Sequence, residues 1–271
     1  MNKIVKNLIY LMRKLVLKFY QIPRLERYPF LKRINLNNYF LDRFINSIEN
    51  TDTSKVMLDA GSGSQQYRKR LESIYKYESC DFDNIFDKKY IKNQTYVCSV
   101  ENLTMADSTY DVVLSMMVLE HLKYPQKAMD EMHRVLKTGG FLYLSTNFMY
   151  PRHGKPYDYF RFTKEGLEAL AMNSNFSILQ ISPMGGFPAL LATFLFEIPQ
   201  YLRNKIILGS SYPDADLKFK SKRAVFVICS IIPFILLNIY FQILSLIVGQ
   251  FDIFDKTYRY TQGYTCIFKK N

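Results

Sequence analysis

The stretch KVMLDAGSGSQQYRKRLE, residues 55–72, decides the fold. The apolar residues 56–58 predict a buried strand, the small residues 61–63 predict a turn, and the sequence from about Gln65 predicts a helix. Glycines in such a turn let the backbone approach a ligand closely, and the start of the following helix supplies free N–H groups. This order indicates an α/β domain with a ligand site at the turn.

The sequence that follows continues the alternation of strands and helices. Residues 76–80 predict a second strand ending at Asp81, 22 residues beyond Asp59. An acid at that spacing is suited to hold a ribose diol through charge-assisted hydrogen bonds, and Asp83 is the competing candidate. Further strands are predicted at residues 95–98, at 112–115, at 141–146 after a turn at Gly139-Gly140, at 176–183, and near the C-terminus at 261–270.

Four motifs, taken together, resemble the class I methyltransferases that use S-adenosylmethionine. They are LDAGSGS, ENL, YDVVLSMMVLEHL and HRVLKTGGFLYLS, with Asp81 between the first two. The resemblance covers roughly residues 54–182. It implies a Rossmann-like seven-stranded sheet, mostly parallel, with the last strand antiparallel between the fifth and sixth and helices on both faces. It also implies S-adenosylmethionine as the cofactor.

The resemblance assigns cofactor contacts residue by residue. Asp59 holds the turn and the amino group, Gly61, Ser62 and Gly63 pass the methionine part, Asp81 binds the ribose hydroxyls, and Ser99, Val100 and Glu101 border the adenine. Two positions depart from the family pattern. Ser64 stands in place of a third glycine, and Ser99 stands in place of an aspartate that would bond the adenine amino group.

The segment FMYPRHGKPYDYFRFTKEGLEAL, residues 148–170, supplies the candidate acceptor site. It resembles an H-G-x-P-x-D-Y-F-R-F-T segment of a subset of these enzymes, many from clusters that build bacterial surface polysaccharides. The candidate catalytic residues here are His153, Asp158, Tyr159 and Arg161. Arg161 is suited to pair with an acceptor phosphate or carboxylate. The alternative is that Asp158 and Arg161 pair with each other while Phe160 and Phe162 fill the core.

Three further residues near these motifs have predicted roles. His121, beside Glu120 after the fourth strand, is either a catalytic candidate or a structural hydrogen-bonding residue. His133 is predicted to be structural, and Thr163 is predicted to cap a helix.

The formal net charge of +12 lies in two segments that adjoin apolar sequence. Residues 1–35 carry nine basic side chains and one acid, and residues 201–223 carry six basic side chains and two acids. Residues 3–19 predict an amphipathic helix, which either lies on an anionic membrane surface or packs on the core with its basic face solvated. The basic excess beside apolar sequence, and the absence of an N-P-P-Y-type motif, argue against nucleic acid as a partner.

Residues 224–249 contain no charged side chain and are long enough to cross a bilayer. Because the last strand must return to the sheet, we expect an in-plane helix or a re-entrant hairpin bent near Pro233, with both ends cytoplasmic. A buried core helix is the alternative. The predicted divisions are residues 1–35 as helix and linker, 36–184 as methyltransferase core, 185–250 as helical insertion, and 251–271 as the final strand.

Four scattered cysteines, with no C-x-x-C pair, indicate neither a disulfide framework nor a zinc site, and we expect no metal. A reducing, cytoplasmic environment is the default. The sequence therefore predicts a methyltransferase that is peripheral or monotopic at the inner membrane face. Its expected partners are the lipid surface and a lipid-linked or small-molecule acceptor, such as a surface-polysaccharide intermediate. The alternatives are a quinone or phospholipid precursor as acceptor, or a non-catalytic membrane-bound scaffold; the oligomeric state is not indicated.

Overall fold

The computed structural model describes residues 35–48, 52–82, 93–202 and 224–271, with side chains in the last range described from residue 233 onward. Three features predicted from the sequence lie outside the described residues. They are the amphipathic helix at residues 3–19, the second candidate acid Asp83, and the basic residues within 203–223.

The described chain alternates between strands and helices, as predicted. The helices are α1 (Leu36–Asn46), α2 (Arg68–Leu71), α3 (Pro125–Val135), α4 (Lys164–Asn173), α5 (Phe187–Leu202) and α6 (Ala224–Gln250). The strands are β1 (Val56–Ala60), β2 (Lys76–Asp81), β3 (Tyr96–Val97), β4 (Tyr110–Met116), β5 (Leu136–Asn147), β6 (Phe176–Pro183) and β7 (Gly263–Lys270). Two short 3-10 helices are Leu119–His121 and Phe251–Phe254.

All seven strands form one sheet, in the order β3-β2-β1-β4-β5-β7-β6. β1 to β5 pair in parallel, whereas β7 is antiparallel to both β5 and β6. This confirms the Rossmann-like sheet that the resemblance implies, with the last strand between the fifth and sixth. Because parallel strands end at the same edge, the segments that follow β1, β2, β4 and β5 gather there.

Two predicted elements differ from the structure. The helix predicted from about Gln65 begins at Arg68, because Gln65 has a φ of 55° and a left-handed residue interrupts a right-handed helix. The predicted Gly139-Gly140 turn lies inside β5. Leu136 already pairs with Tyr110, and the register then shifts so that the strand bulges at these glycines.

Apolar clusters cover both faces of the sheet. On one face, Leu58 of β1 lies in a cluster with Met129 of α3 and Leu167 of α4. On the other face, the next residue toward the N-terminus, Met57, lies in a second cluster with Ile45 of α1. Alternate residues of a strand point to opposite faces, so helices on both sides bury both faces.

The chain divides into two compact units. The sheet unit comprises residues 40–186 and 258–271, and the helical unit comprises residues 187–257 with the described residues 35–39. Within the helical unit, α5 and α6 pack against each other. α6 continues through Pro233 as one helix, so the hairpin predicted to bend there does not form.

The helical unit is also joined at one end by hydrogen bonds. The Asp255 carboxylate accepts the backbone N–H of Phe187 at 2.7 Å, and the Asp252 carboxylate accepts that of Ala189 at 3.2 Å. The residues just after α6 therefore lie next to the start of α5.

Candidate active site

The turn after β1 is closed by backbone hydrogen bonds and opens on one side. The N–H groups of Gly61 and Ser62 donate to the Cys80 carbonyl at 2.9 and 3.1 Å. Gly61 has a φ of 78°, and a Cβ there would lie 2.6 Å from Val118, so glycine is needed for conformation and for space. Gly63 has a φ of 50°, but a Cβ there would meet nothing within 4 Å. Open space beside Gly63 is where a ligand can approach the main chain.

Asp81 lies against this turn and is oriented by main-chain donors. Its Oδ2 accepts the Gly63 N–H at 2.7 Å, and its Oδ1 accepts the Phe82 N–H at 2.8 Å. Burial raises the pKa of Asp81 and outweighs the lowering effect of these two hydrogen bonds. Each carboxylate oxygen retains a lone pair for a further donor, which suits the pair of hydroxyls on a ribose.

Two glutamines that sequence reasoning missed hold the turn in place. Gln94 donates to the Gly63 carbonyl at 3.0 Å and accepts the Ser62 hydroxyl at 2.6 Å. The Gln65 side chain donates to the side-chain amide oxygen of Gln94, the atom that also accepts the Ser62 hydroxyl, at 3.0 Å. No local pattern signals this role, because Gln94 is distant in sequence and reaches the turn through the pairing of β3 with β2.

Asp59 is buried near the end of β1 and accepts the Tyr77 hydroxyl at 2.6 Å. Burial raises the pKa of Asp59 to about 7, with a further contribution from Asp81 and an opposing one from the Tyr77 hydrogen bond. The carboxyl therefore titrates near neutral pH. A cationic amino group nearby would favour its ionised form.

The segment assigned to the adenine is held by side-chain acceptors. The Ser99 hydroxyl accepts the Glu101 N–H at 3.2 Å, and Val100 is buried. The Glu101 carboxylate accepts the Tyr124 N–H at 2.6 Å, so it ties this segment to the loop after β4. The Ser99 hydroxyl keeps its own proton and a second lone pair for a base edge.

In the loop after β5, Asp158 and Arg161 pair with each other. Arg161 donates to both Asp158 oxygens, at 2.6 and 3.0 Å, and to the carbonyls of Tyr150, Pro151 and Phe160. Burial would raise the pKa of Asp158, but the Arg161 hydrogen bonds and the His153 N–H lower it to about 2. The structure thus contains the Asp158–Arg161 pair, which the sequence predicted as the alternative to acceptor binding by Arg161.

The aromatic residues of this loop divide between core and solvent. Phe162 is 8% exposed and belongs to the core, whereas Phe160 is 39% exposed and Tyr159 is 44% exposed. Thr163 accepts the Gly166 N–H at 3.1 Å and caps α4, as predicted.

Glu120, His121 and His153 come together from the ends of β4 and β5. Glu120 is fully buried, and its two oxygens accept hydrogen bonds from Thr146 and Asn147. The two imidazole rings lie 4.7 Å apart, edge to face. Burial, with a contribution from His121, lowers the pKa of His153, which favours the neutral ring at pH 7. His133 of α3, predicted to be structural, packs its ring against Phe176 of β6.

The donor set at the turn fits S-adenosylmethionine. An acid at the end of β2 suits the ribose, open space lies beside Gly63, and a buried acid near the end of β1 suits the amino group. When bound, this cofactor supplies an electrophilic methyl group. The residues of the chain would bind and orient it.

Comparisons with known proteins agree with this fit. Residues 58–144 match the family model described as a methyltransferase domain. The [4+2]-cyclase SpnF is 15% identical, with 88% of this chain and 81% of that one covered and a TM-score of 0.51. A provisionally named sarcosine dimethylglycine methyltransferase from Galdieria sulphuraria is 12% identical, with 87% and 85% covered and a TM-score of 0.50.

Phosphoethanolamine N-methyltransferase 2 of Haemonchus contortus, solved in complex with S-adenosyl-L-methionine, is 16% identical, with 87% of this chain and 52% of that one covered and a TM-score of 0.49. No curated protein sequence matches the chain. The two likenesses with TM-scores of 0.50 and 0.51 bear on the fold, and the family match covers strands that carry the cofactor motifs. The chain therefore contains a class I S-adenosylmethionine-dependent methyltransferase domain, with S-adenosylmethionine as its cofactor.

Proposed function

We propose that this chain methylates a lipid-linked glycan, or a similar surface-polysaccharide intermediate, at the cytoplasmic face of the membrane. The observation that carries the membrane part is an exposed apolar surface on the helical unit. The cofactor part rests on the Gly63 and Asp81 geometry described above.

α6 presents a continuous apolar stripe to its surroundings. Leu236, Tyr240, Ile243 and Ile247 recur at helical spacing, and all are 49–62% exposed. The stretch Pro233–Phe254 is long and apolar enough to cross a membrane: an 18-residue window within it has a mean hydropathy of 1.8, and 22% of that window is buried. Core helices of soluble proteins pass the same length test but are mostly buried. The low burial favours lipid contact.

α5 carries a second stripe of the same kind. Phe187, Leu191, Phe194 and Tyr201 are 37–57% exposed and again recur at helical spacing. Exposed apolar surface on this scale is uncommon on soluble monomers and is typical of membrane or partner interfaces. The adjoining segment 201–223 carries six basic side chains, which would attract anionic lipid headgroups.

Chain connectivity favours a helical unit that lies in the membrane surface. The chain leaves the sheet after β6 and returns with β7, and these two strands are neighbours. Both ends of the helical unit therefore attach to the same sheet, so one net crossing would separate β7 from the strands that it pairs with. A monotopic placement lets both apolar stripes contact lipid and keeps β7 on the same side of the membrane as the strands that it pairs with.

The glycan acceptor is supported by the loop after β5. Tyr159 and Phe160 expose aromatic rings beside the edge where substrates bind in α/β folds. Sugar rings stack their C–H faces on such side chains. The loop also carries the segment that resembles enzymes of surface-polysaccharide clusters.

Methyl transfer requires that an acceptor oxygen or nitrogen lie in line with the methyl group, and positioning supplies most of the acceleration. A hydroxyl acceptor must also lose a proton. The candidates in this loop are the His153 imidazole, which is neutral at pH 7, and the exposed Tyr159 phenol.

Membrane binding is tested by floating the purified full chain on vesicles that contain phosphatidylglycerol. We expect Leu236→Gln with Ile243→Gln to abolish flotation, because both remove apolar contact from the stripe. The matched control is Ile178→Gln with Leu179→Gln, which changes exposed apolar residues of the sheet unit and should float normally. Equal flotation of all three proteins would contradict the membrane proposal.

The acceptor is tested with methyl-labelled S-adenosylmethionine and separated lipid extracts. We expect the label in the lipid-linked saccharide fraction and not in the quinone or phospholipid fractions. Label in the quinone fraction or in the phospholipid fraction would indicate that this molecule, and not a glycan, is the acceptor. Cofactor binding without transfer to any fraction would favour the scaffold.

A further inference from the structure

We propose that Glu120, His121 and His153 bind one divalent transition-metal ion. One oxygen of Glu120 and one ring nitrogen of each histidine all lie within 4.8 Å of one another. Two histidines and one glutamate form a donor set that suits zinc and its neighbours in the first transition row. The sequence does not signal this site, because His153 is separated from the adjacent pair at 120 and 121 by an entire strand and helix.

Glu120 is a buried carboxylate that lacks a counter-charge. It is fully buried, and its hydrogen-bond donors, the Thr146 hydroxyl and the Asn147 amide, are neutral. Among the residues that the structure describes, no lysine, arginine or histidine forms an ion pair with it. A buried carboxylate without a cation is costly, and a metal ion would supply the missing positive charge.

Hydrogen bonds leave the same nitrogen of both histidines available. His121 Nδ1 lies 2.6 Å from the Tyr157 carbonyl, and His153 Nδ1 lies 3.1 Å from the Pro151 carbonyl. A carbonyl can only accept, so each Nδ1 carries the proton and each Nε2 presents a lone pair. Metal-binding histidines are held in this way, with the second nitrogen donating to a backbone carbonyl or a carboxylate.

The spacing and the packing also suit an interposed ion. The ligand atoms of a tetrahedral ion with bonds of about 2.1 Å lie about 3.4 Å apart. The three donor atoms lie within 4.8 Å of one another, so rotation of the half-buried rings has to bring them closer by up to about 1.4 Å to close the site. Gly154 lets His121 approach, because a Cβ at that position would lie 2.7 Å from the ring. Asn147 adds a buried side-chain amide oxygen, Oδ1, that has no hydrogen-bond partner in the described part of the chain.

Three protein ligands leave a tetrahedral ion with one open position, as in catalytic rather than structural sites. That position would take water or an oxygen of the acceptor. His153 would then assist the reaction through the metal, which lowers the pKa of a bound hydroxyl, and would not accept the proton itself.

The test is a calorimetric titration of the full chain with Zn²⁺, on detergent-solubilised protein prepared without a polyhistidine tag. We expect one ion per chain. His153→Ala should weaken binding by more than about 100-fold, the upper end of the range that loss of an outer-shell partner causes. Glu120→Gln should do the same, and thermal unfolding establishes that each variant is folded. The matched control is His133→Ala, which removes a histidine that packs on Phe176 outside the cluster.

The spectrum of the Co²⁺-loaded protein identifies the ligands independently. We expect absorption typical of nitrogen and oxygen ligands, without a thiolate charge-transfer band. Equal Zn²⁺ affinity in the wild type and His153→Ala, no Zn²⁺ binding by the wild type, or a thiolate band would each overturn the metal site. S-adenosylhomocysteine binding, measured on the same samples, reports separately on the methyltransferase site.

Discussion

The cofactor side of the sheet edge and the loop after β5 use charged residues in opposite ways. At the cofactor side, backbone N–H groups orient Asp81, and the carboxylate keeps capacity for a ligand beside open space at Gly63. In the loop after β5, Arg161 donates its hydrogen bonds to Asp158 and to three backbone carbonyls. A charged residue in a motif therefore indicates a ligand only where it keeps hydrogen-bonding capacity that the rest of the chain does not use.

The largest effect is expected at the cofactor side, for Asp81→Ala. Loss of two charge-assisted hydrogen bonds to the ribose, each worth about 1.5–3 kcal/mol, should weaken cofactor binding by about 100-fold or more. Calorimetric titration with S-adenosylhomocysteine measures this change.

Asp107→Ala, at a largely exposed acid outside the site, is the control and should bind normally. If a folded Asp81→Ala protein bound S-adenosylhomocysteine as tightly as the wild type, Asp81 would not be a cofactor ligand, and the contrast with Arg161 would be wrong.

A smaller effect, on stability and not on binding, is expected for Arg161→Ala. The Asp158 side chain is 4% exposed, and removal of its partner leaves a buried charge, which costs about 3 kcal/mol. Denaturant unfolding without any ligand measures the loss. The sequence alone predicts a different result, namely weaker acceptor use with cofactor binding intact.

A double-mutant cycle with Asp158→Asn sharpens this prediction. A coupling free energy above about 1 kcal/mol would establish that the two side chains act on each other. A coupling free energy near zero, together with a loss of acceptor turnover and not of stability, would indicate that Arg161 binds the acceptor.

The smallest effect is the pH dependence at Asp59. Because burial raises the pKa of Asp59 to about 7, ionisation between pH 6 and 8 should strengthen binding of a ligand with a cationic amino group, such as S-adenosylhomocysteine, by about tenfold.

In the protein without ligand, rising pH has the opposite effect, on stability. The folded state keeps the Asp59 proton above the unfolded pKa of 3.8, so the free energy of unfolding falls as pH rises toward 7.

Two variants separate Asp59 from other titrating groups. Asp59→Asn should make binding of S-adenosylhomocysteine independent of pH over this range. Tyr77→Phe removes a hydrogen bond that favours the carboxylate, so the midpoint should move upward. A pH profile that Asp59→Asn leaves unchanged would assign the titration to another residue.

Local patterns predicted most of the sheet and failed where a single residue departs from them. The strand pattern placed β2 and β6 correctly because alternation and apolar content are properties of the strand itself. It failed at Gln65, whose φ is positive, and at Gly139, which lies in a bulge inside β5 and not in a turn before the strand. The side chain of Gln65 donates to Gln94 and Ser79, which only the folded chain brings near, so no local pattern signals its conformation.

The sequence by itself determined the order of strands and helices, because apolar runs and turn residues are local properties of the chain. Its resemblance to the class I methyltransferases implied the seven-stranded sheet and the cofactor. Only the tertiary structure decided which charged side chains pair with each other and which side chains from distant segments lie together. The pairing of Arg161 with Asp158 depends on the path of a loop, and the meeting of Glu120, His121 and His153 depends on the adjacency of β4 and β5. The physical reason is that hydrogen bonding and burial act over a few ångströms in space, whatever the separation along the chain.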